Sequence, residues 1–256
     1  MLGGIKHWLA QRMRTLGYTI IPNWQLANFS QAEYLVQLFG LLEVDCVLDV
    51  GANSGQYHDF LRHHVGYAGT VVSFEPVPTL GQHLQERAQG RRNWLIEPYA
   101  LGTQRGRALL NVMVSDRFSS FLAPSHTGTD MFLNSNRVEQ QVEVEVHTLD
   151  EVFPQLQEHI GFQRPYLKLD TQGFDLAVLE GAASSLPEIV ALQTEASVTP
   201  IYEGAPDFAT VIRHLENQGF LLSGIFANNP DHFPRMIEFD CHMINQVHVS
   251  VPTGPA

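Results

Sequence analysis

The chain has 256 residues, of which 44% are hydrophobic and 16% are charged. That composition is typical of a globular protein and excludes wholesale disorder, collagen and coiled coil. With 15 Lys and Arg against 27 Asp and Glu, the formal net charge is -12. Because nucleic-acid binders gain most of their affinity from cationic side chains on phosphates, this balance argues against a nucleic-acid partner.

Residues 1–43 predict an N-terminal helical segment, because apolar side chains recur at helical spacing near the N-terminus and again from Gln31 to Leu42. The first helix is amphipathic, and we expect it to cover the domain or to contribute to a homodimer. The chain contains no apolar run of about 18 residues, so we expect no transmembrane segment. The cysteines, Cys46 and Cys241, have no metal-ligand spacing and no secretory signal accompanies them, which indicates reduced thiols in a cytoplasmic protein.

From Cys46 onward, short apolar runs alternate with amphipathic stretches. The apolar runs are Cys46–Val50, Thr70–Phe74, Asn93–Ile96, Tyr166–Leu169 and Ile189–Gln193. Helical patterns such as Thr79–Ala88 and Leu176–Leu186 separate them. This alternation indicates βαβ units and a mostly parallel sheet with helices on both faces.

Two further strands, Arg107–Val114 and Gln141–Leu149, interrupt this rhythm. Between them lies a long polar stretch, Ser115–Gln140, and a loop of that length is usually functional or disordered. The last residues, 250–256, predict a flexible tail.

Four of the apolar runs lead to a carboxylate at or near their C-terminal end. These acids are Asp49, Glu75, Asp170 and Glu195. In an open α/β sheet the binding crevice lies beyond the carboxyl ends of the strands, so we expect the four acids to surround one crevice. Such a crevice favours a cation, a polyol or both as its ligand.

The first strand continues into the turn Gly51–Gly55, which has the spacing GxxxG rather than the GxGxxG of dinucleotide sites. Asp49, just before the turn, repels a pyrophosphate but can hold an ammonium group directly or through water. Glu75 follows Gly51 at the distance from which an acid accepts hydrogen bonds from ribose hydroxyls. These features favour S-adenosylmethionine as cofactor over NAD, whose phosphates have no obvious partner.

Several motifs occur in the order seen in FkbM-type methyltransferases, which the chain resembles from Cys46 to Phe220. The motifs are VLDVGANSGQY, VVSFEPVP, EPYALG, VHTLDEV, YLKLDTQGFDLAVLEGA and TEAS. The family consists of class I S-adenosylmethionine-dependent O-methyltransferases. The resemblance implies a doubly wound, mostly parallel seven-stranded Rossmann-like sheet with an antiparallel last strand. We expect this domain over residues 44–249, beside the N-terminal helical segment.

The resemblance also implies roles for individual residues. Those expected to bind the methionine part of the cofactor are Asp49, Gly51, Asn53 and Gly55. Glu75 takes the ribose hydroxyls, and Tyr99 and Ala100 lie beside the adenine. Ser119 and Ser120 belong to a substrate-facing loop. Asp175 stands where the family usually has glutamate, and its shorter reach makes a direct substrate or metal role questionable.

Methyl transfer to a sugar hydroxyl needs a base, because the hydroxyl is a poor nucleophile until its proton leaves. Asp170 and Glu195 are the candidates, since they follow the strands nearest the expected methyl group. His126, inside the polar stretch, is a third candidate.

The sequence permits a metal but does not require one. Oxygen ligands and a substrate diol suit Mg²⁺, yet no spacing in the chain demands it. Three histidines that follow the glycine turn, His58, His63 and His64, lack the HExxH pattern of zinc enzymes. We expect them on a solvated helix face.

The predicted function is S-adenosylmethionine-dependent O-methylation of a small-molecule or saccharide acceptor, with a sugar of a glycan or glycosylated natural product as the expected target. The substrate class comes from the resemblance alone. An NAD-dependent oxidoreductase and a non-catalytic glycan- or partner-binding module with the same fold are the alternatives, because a fold does not prove an activity.

Overall fold

The computed structural model describes residues 28–228 and 234–249, together with Met13, Ile21 and Leu26. The first predicted helix, apart from Met13, and the tail over 250–256 lie outside these residues. The α-helices in the described part are α1 (Phe29–Leu42), α2 (Gln56–Phe60), α3 (Pro78–Ala88), α4 (Leu149–Ile160), α5 (Asp175–Glu180) and α6 (Phe208–Asn217). Each helix in this part is too short or too polar to span a bilayer.

The strands of the described part of the chain fall into two sheets. They are β1 (Cys46–Val50), β2 (Thr70–Phe74), β3 (Trp94–Glu97), β4 (Ala100–Leu101), β5 (Gly106–Met113), β6 (Val138–His147), β7 (Pro165–Leu169), β8 (Ala191–Ser197), β9 (Phe220–Ala227) and β10 (Glu238–Asn245). The larger sheet has seven strands in the order β3-β2-β1-β7-β8-β10-β9. The first five strands in this order, β3-β2-β1-β7-β8, are parallel, and β10 is antiparallel to both of its neighbours. The predicted doubly wound fold with an antiparallel last strand is confirmed.

The apolar core lies on both faces of the larger sheet, which explains the unbroken apolar runs of its central strands. On one face, α4, α5 and α6 contribute Phe153, Leu179 and Leu215. On the other face, α1 and α3 contribute Phe39 and Leu84. All five residues of β1 are buried, so the centre of the sheet is covered on both sides.

Most element bounds agree with the sequence analysis to within about one residue, but β6 and β8 are shifted by about two to four residues. Strands β1 and β2 have the predicted ends, whereas the helix predicted over Leu176–Leu186 ends at Glu180. A side chain at Gly181 would collide with the carbonyl oxygen of Gly102, so this glycine allows the chain to turn against the smaller sheet.

The smaller sheet has three strands in the order β4-β6-β5 and contains the two strands that interrupted the βαβ rhythm. The polar stretch that joins β5 to β6 is held against the main domain. The Asn136 amide donates to the carbonyl of Ile201 over 3.0 Å, and the Tyr202 hydroxyl contacts the carbonyl of Phe118 at 2.8 Å. The polar stretch therefore lies next to the carboxyl ends of the parallel strands.

One of the three histidines after the glycine turn is not solvated. His58 is 1% exposed and stacks on Trp94 with a ring separation of 3.6 Å. Burial lowers its pKa to about 4, so it is neutral near pH 7. The expectation of a solvated face is wrong for His58, because α2 packs this position against β3.

Candidate active site

A cavity of about 840 Å³ opens beyond the carboxyl ends of the parallel strands, where β1 and β7 form the switch point of the sheet. This is the place where open α/β sheets bind their ligands. The residues singled out from the sequence that line it are Gly51, Asn53, Glu75, Ala100, Ser119, Asp170 and Glu195. The structure thus brings together three of the four acids that end the apolar runs.

The turn after β1 contains three residues with positive φ, which are Gly51, Asn53 and Gly55. Gly51 has φ 78°, and a side chain there would collide with the carbonyl oxygen of Asp170. Asn53 has φ 48°, which asparagine tolerates better than most residues because its short amide bonds locally. Its Oδ1 accepts from the backbone N–H of Ser54 over 2.7 Å. The turn therefore keeps backbone atoms at the surface of the cavity.

Glu75 lies at the cavity wall and is only 5% exposed. Its two oxygens accept hydrogen bonds from the backbone N–H groups of Asn53 and Val77, each over 2.8 Å. Burial raises its pKa to about 7, although both hydrogen bonds oppose this shift. Each carboxylate oxygen keeps a further lone pair for a ligand hydroxyl.

Asp49 is placed differently from our expectation. Its side chain is fully buried, and it pairs with the ammonium of Lys168, whose Nζ lies 3.1 Å from Oδ1. Ser73 donates to its other oxygen over 3.3 Å. Asp49 does not line the cavity, so the expected direct contact with a ligand ammonium is corrected: a lysine of this chain takes that position.

Lys168 connects the glycine turn with Asp170, which follows β7. Its Nζ lies 3.4 Å from Asp170 Oδ2 and donates to the carbonyl of Gly51 over 3.4 Å. Burial disfavours the charge of Lys168, but Asp49 and Asp170 outweigh that effect and raise its pKa. A charged lysine therefore lies at the base of the cavity.

Four carboxylates gather at the end of the cavity formed by β7, β8 and β10. They are Asp170, Glu195, Glu238 and Asp240. Gln172 Nε2 donates to Asp170 Oδ1 over 2.9 Å and to Glu195 Oε2 over 2.8 Å. Asn228 donates to the other oxygen of Glu195 over 2.7 Å.

The electrostatic environment of this cluster favours protonation. Burial raises the pKa of Glu195 well above its usual range, and the nearby charge of Glu238 adds to the shift. For the same main reason the pKa of Glu238 rises to about 7 and that of Asp240 to about 6. Even so, within the described residues no three His, Cys, Asp or Glu side chains are arranged to hold a metal ion.

Besides Asp49, five residues named from the sequence do not line the cavity. They are Gly55, Tyr99, Ser120, His126 and Asp175. The ring of Tyr99 packs against Phe74 and His147 instead. No histidine is found among the described residues of the lining, so His126 is not placed to act there as a base.

Asp175 and Ser120 act within the protein. Asp175 is 3% exposed; one of its oxygens accepts from the Thr171 backbone and the other from the Thr194 hydroxyl, over 2.8 and 2.7 Å. It therefore links the ends of β7 and β8 rather than contacting a substrate. The Ser120 hydroxyl donates to the carbonyl of Gln172 over 2.8 Å, which attaches the polar stretch to the cavity wall.

Sequence reasoning did not assign a site role to Lys168, Gln172, Asn228, Glu238 or Asp240. Lys168 and Gln172 lie inside the motif that already contained Asp170, so the sequence did indicate that they are near the site. Glu238 and Asp240 begin a strand, and only the antiparallel direction of β10 brings that strand's start to the carboxyl edge of the sheet.

Comparison with known proteins finds a family match and several similar solved structures. The model of the methyltransferase FkbM domain matches residues 49–222. Similar solved structures include fibrillarin of Aeropyrum pernix in complex with natively bound S-adenosyl-L-methionine (13% identity, TM-score 0.44, 84% of this chain and 74% of that chain). Another is magnesium protoporphyrin IX methyltransferase of Synechocystis PCC 6803 with bound SAM (11% identity, TM-score 0.45, 94% and 91%). A third is a SAM-dependent methyltransferase from Aquifex aeolicus (14% identity, TM-score 0.42, 92% and 98%). No curated protein matches the chain.

A doubly wound sheet with a glycine turn and a buried carboxylate at its switch point, together with the domain match, defines an S-adenosylmethionine-dependent methyltransferase. The chain belongs to the FkbM methyltransferase family, whose domain model covers more than half of its length. This assignment decides between S-adenosylmethionine and NAD in favour of the methyl donor.

Proposed function

We propose that the protein transfers a methyl group to a hydroxyl of a sugar that belongs to a glycan or a glycosylated natural product. The observation that carries the proposal is the pair Asp170 and Glu195, which lie side by side on the cavity wall. Carboxylates accept hydrogen bonds from the hydroxyls of such an acceptor and repel an anionic one. The cavity volume, about 840 Å³, also falls in the range of sites for small molecules.

The cofactor is assigned to the end of the cavity at β1 and β2. Glu75 accepts from the ribose hydroxyls, Gly51 and Asn53 form the turn beside the methionine part, and Ala100 belongs to the wall beside the adenine. Gly55 supports the turn from behind, where its position next to Leu84 leaves little space for a side chain. When bound, the cofactor supplies a methyl group on a positively charged sulfur, which the acidic lining favours.

Glu195 is the stronger candidate for the base. Asp170 lies 3.4 Å from the Lys168 ammonium, and its side chain is 41% exposed. Among the described residues, Glu195 is hydrogen-bonded to the uncharged side chains of Gln172 and Asn228, and its pKa is raised. A raised pKa makes a carboxylate a better proton acceptor once it is ionised, so Glu195 suits removal of a hydroxyl proton. In this arrangement Asp170 binds and orients the acceptor.

The test is turnover with a panel of free sugars and glycosides, with S-adenosylhomocysteine measured by mass spectrometry. We expect product with at least one hydroxyl acceptor. Because a positioned base contributes about 10²–10⁴-fold, Glu195→Gln should lower kcat by at least about 100-fold. The Kd of S-adenosylhomocysteine, measured by calorimetry, should stay the same in this variant.

Glu216→Gln is the matched control, since Glu216 is exposed on α6 away from the cavity. An unchanged rate in Glu195→Gln contradicts the base assignment. Product that forms only with amine or carboxyl acceptors contradicts hydroxyl methylation. Glycan binding without turnover on any acceptor supports the non-catalytic module instead.

A further inference from the structure

The side chain of Gln172 occupies the space between the two acids of the proposed acceptor site. Its Nε2 has two hydrogens, and the carboxylates of Asp170 and Glu195 lie 2.9 and 2.8 Å away. Its Oε1 lies 2.7 Å from the hydroxyl of Tyr202. The two N–H groups and the carbonyl oxygen of the Gln172 side chain therefore all have hydrogen-bond partners within the protein.

The backbone of Gln172 is held just as firmly. The residue has φ 54°, in the left-handed region that a side chain with a Cβ seldom adopts. Its carbonyl accepts from Ser120 Oγ over 2.8 Å, and the next residue, Gly173, also has positive φ. Strained conformations of this kind persist where the surrounding structure holds them in place, and they are concentrated at functional sites.

The amide separates two groups that repel each other. Without a donor between them, two neighbouring carboxylates cannot both remain ionised at low cost. The Gln172 N–H groups bond one oxygen of each acid and fix the direction of the remaining lone pairs, and at Glu195 they favour the ionised form. Among the described residues, Asp170 also has the charged Lys168 beside it, whereas the other donor to Glu195 is the uncharged Asn228, so Glu195 depends on Gln172 more than Asp170 does.

We propose that Gln172 is a positioning residue for methyl transfer: its amide holds Asp170 and Glu195 at a set separation, so that Glu195 meets the acceptor hydroxyl. The proposal rests on the proposed function, because it assumes that Glu195 takes a proton from the acceptor. Gln172 lines the cavity but acts through the two carboxylates.

Other ionisable groups also face this pair. They are Lys168 on β7, Asp175 on α5, Glu238 and Asp240 on β10, and Tyr202. All of them are kept in a Gln172 variant. A pH dependence that changes only when Gln172 is replaced therefore reports the loss of its amide.

The first experiment needs no acceptor and compares urea unfolding of wild type and Gln172→Met between about pH 5 and about pH 8.5. Methionine has a similar length and no N–H donor, so it should raise the pKa of Glu195 further. Because Glu195 is then harder to ionise, the destabilisation by Gln172→Met should grow as pH rises. Gln157→Met is the control, because it removes a hydrogen bond of 3.1 Å from a side-chain amide to the exposed carboxylate of Glu188.

The second experiment measures the pH profile of kcat with an acceptor found in the turnover panel. We expect the acid limb to move to higher pH in Gln172→Met, and kcat to fall at least tenfold at neutral pH, while the KM for S-adenosylmethionine stays within twofold. Gln172→Glu puts a third carboxylate between the two acids, so it should move the acid limb of the kcat profile to a higher pH than Gln172→Met does.

The results separate this proposal from the proposed function. A destabilisation by Gln172→Met that is equal at every pH shows a structural role only and overturns the proposal, whatever the acceptor. If the unfolding result is as expected but only non-hydroxyl acceptors are methylated, the proposed function fails and so does the part of the proposal that concerns Glu195. If Gln172→Met does not fold, the same unfolding comparison with Gln172→Glu decides the question.

Discussion

Glu75, which we propose accepts hydrogen bonds from the ribose hydroxyls, is a buried carboxylate whose ionisation depends on pH near neutrality. In the free protein its pKa is about 7, because burial disfavours its charge. Hydroxyl groups that donate to a carboxylate favour the ionised form. Binding of the ribose at Glu75 should therefore release a proton whenever the pH lies below about 7.

We predict that the affinity for S-adenosylhomocysteine rises between about pH 6 and about pH 8. The sign follows from the raised pKa: the free protein holds the proton up to about pH 7, and the complex does not. Calorimetry across this range measures the slope. Glu75→Gln should weaken binding and flatten the slope, whereas Glu238→Gln should keep it, although Glu238 has a similar pKa. A slope that persists in Glu75→Gln rules out Glu75 as its source.

Asp49 shows where prediction from single residues ended. We expected this acid at the crevice because it stands near the end of β1, and β1 does end at the predicted residue, Val50. The register of the sheet places Asp49 directly beside Lys168 of β7. Nothing near Asp49 in sequence indicates this neighbour, because the two residues meet only when β1 and β7 pair.

At the level of elements, the glycine turn depends on how closely two strands approach. The turn after β1 passes the end of β7 so tightly that a side chain at Gly51 would strike the backbone of Asp170. Gly66, after the π-helix over Leu61–Val65, has a similar φ of 73°, but a Cβ at this position would have no atom of the described residues within 4 Å. A substitution at Gly66 therefore measures the cost of the positive φ alone, whereas a substitution at Gly51 adds the cost of the collision.

We predict that Gly51→Ala destabilises the protein considerably more than Gly66→Ala. The left-handed conformation alone costs about 1–2 kcal/mol, which is the expected effect at Gly66. Gly51→Ala adds the displacement of β7 and should also abolish cofactor binding. Urea unfolding and calorimetry with S-adenosylhomocysteine measure both effects. Equal destabilisation by the two substitutions means that the collision at Gly51 is relieved without cost.

The elements themselves were largely predictable, and their association was less so. Strands β1 and β2 have their predicted ends because fully buried strands leave uninterrupted apolar runs. Strands β5 and β6 were predicted as strands, but their pairing with the short β4 in a separate sheet was not. The alternation of side chains along a strand shows that one face is buried but not which sheet the strand joins.

For the whole molecule, the cavity joins parts of the chain from α1 to β10. Residues that are remote in sequence meet there: Gln31 of α1 donates to Asp240 of β10 over 2.8 Å. A ligand that contacts the turn, the parallel strands and β10 should therefore stabilise the folded domain as a unit.

We predict that S-adenosylhomocysteine raises the stability of the protein by about 2.7 kcal/mol when its concentration is about 100 times Kd, because it binds only the folded state. Thermal unfolding monitored by circular dichroism measures the shift in Tm. NAD serves as the comparison and should leave the Tm unchanged. An equal shift with NAD would contradict the assignment of the site to a sulfonium nucleoside.

The amino-acid sequence by itself determined the βαβ order, the position of the crevice and three of its acids, because strand periodicity and glycine turns are local properties of the chain. Only the tertiary structure decided which charges meet. Lys168 neutralises Asp49, Gln172 separates Asp170 from Glu195, and β10 adds Glu238 and Asp240. These contacts depend on strand order and register, which arise from packing between segments that are distant in sequence.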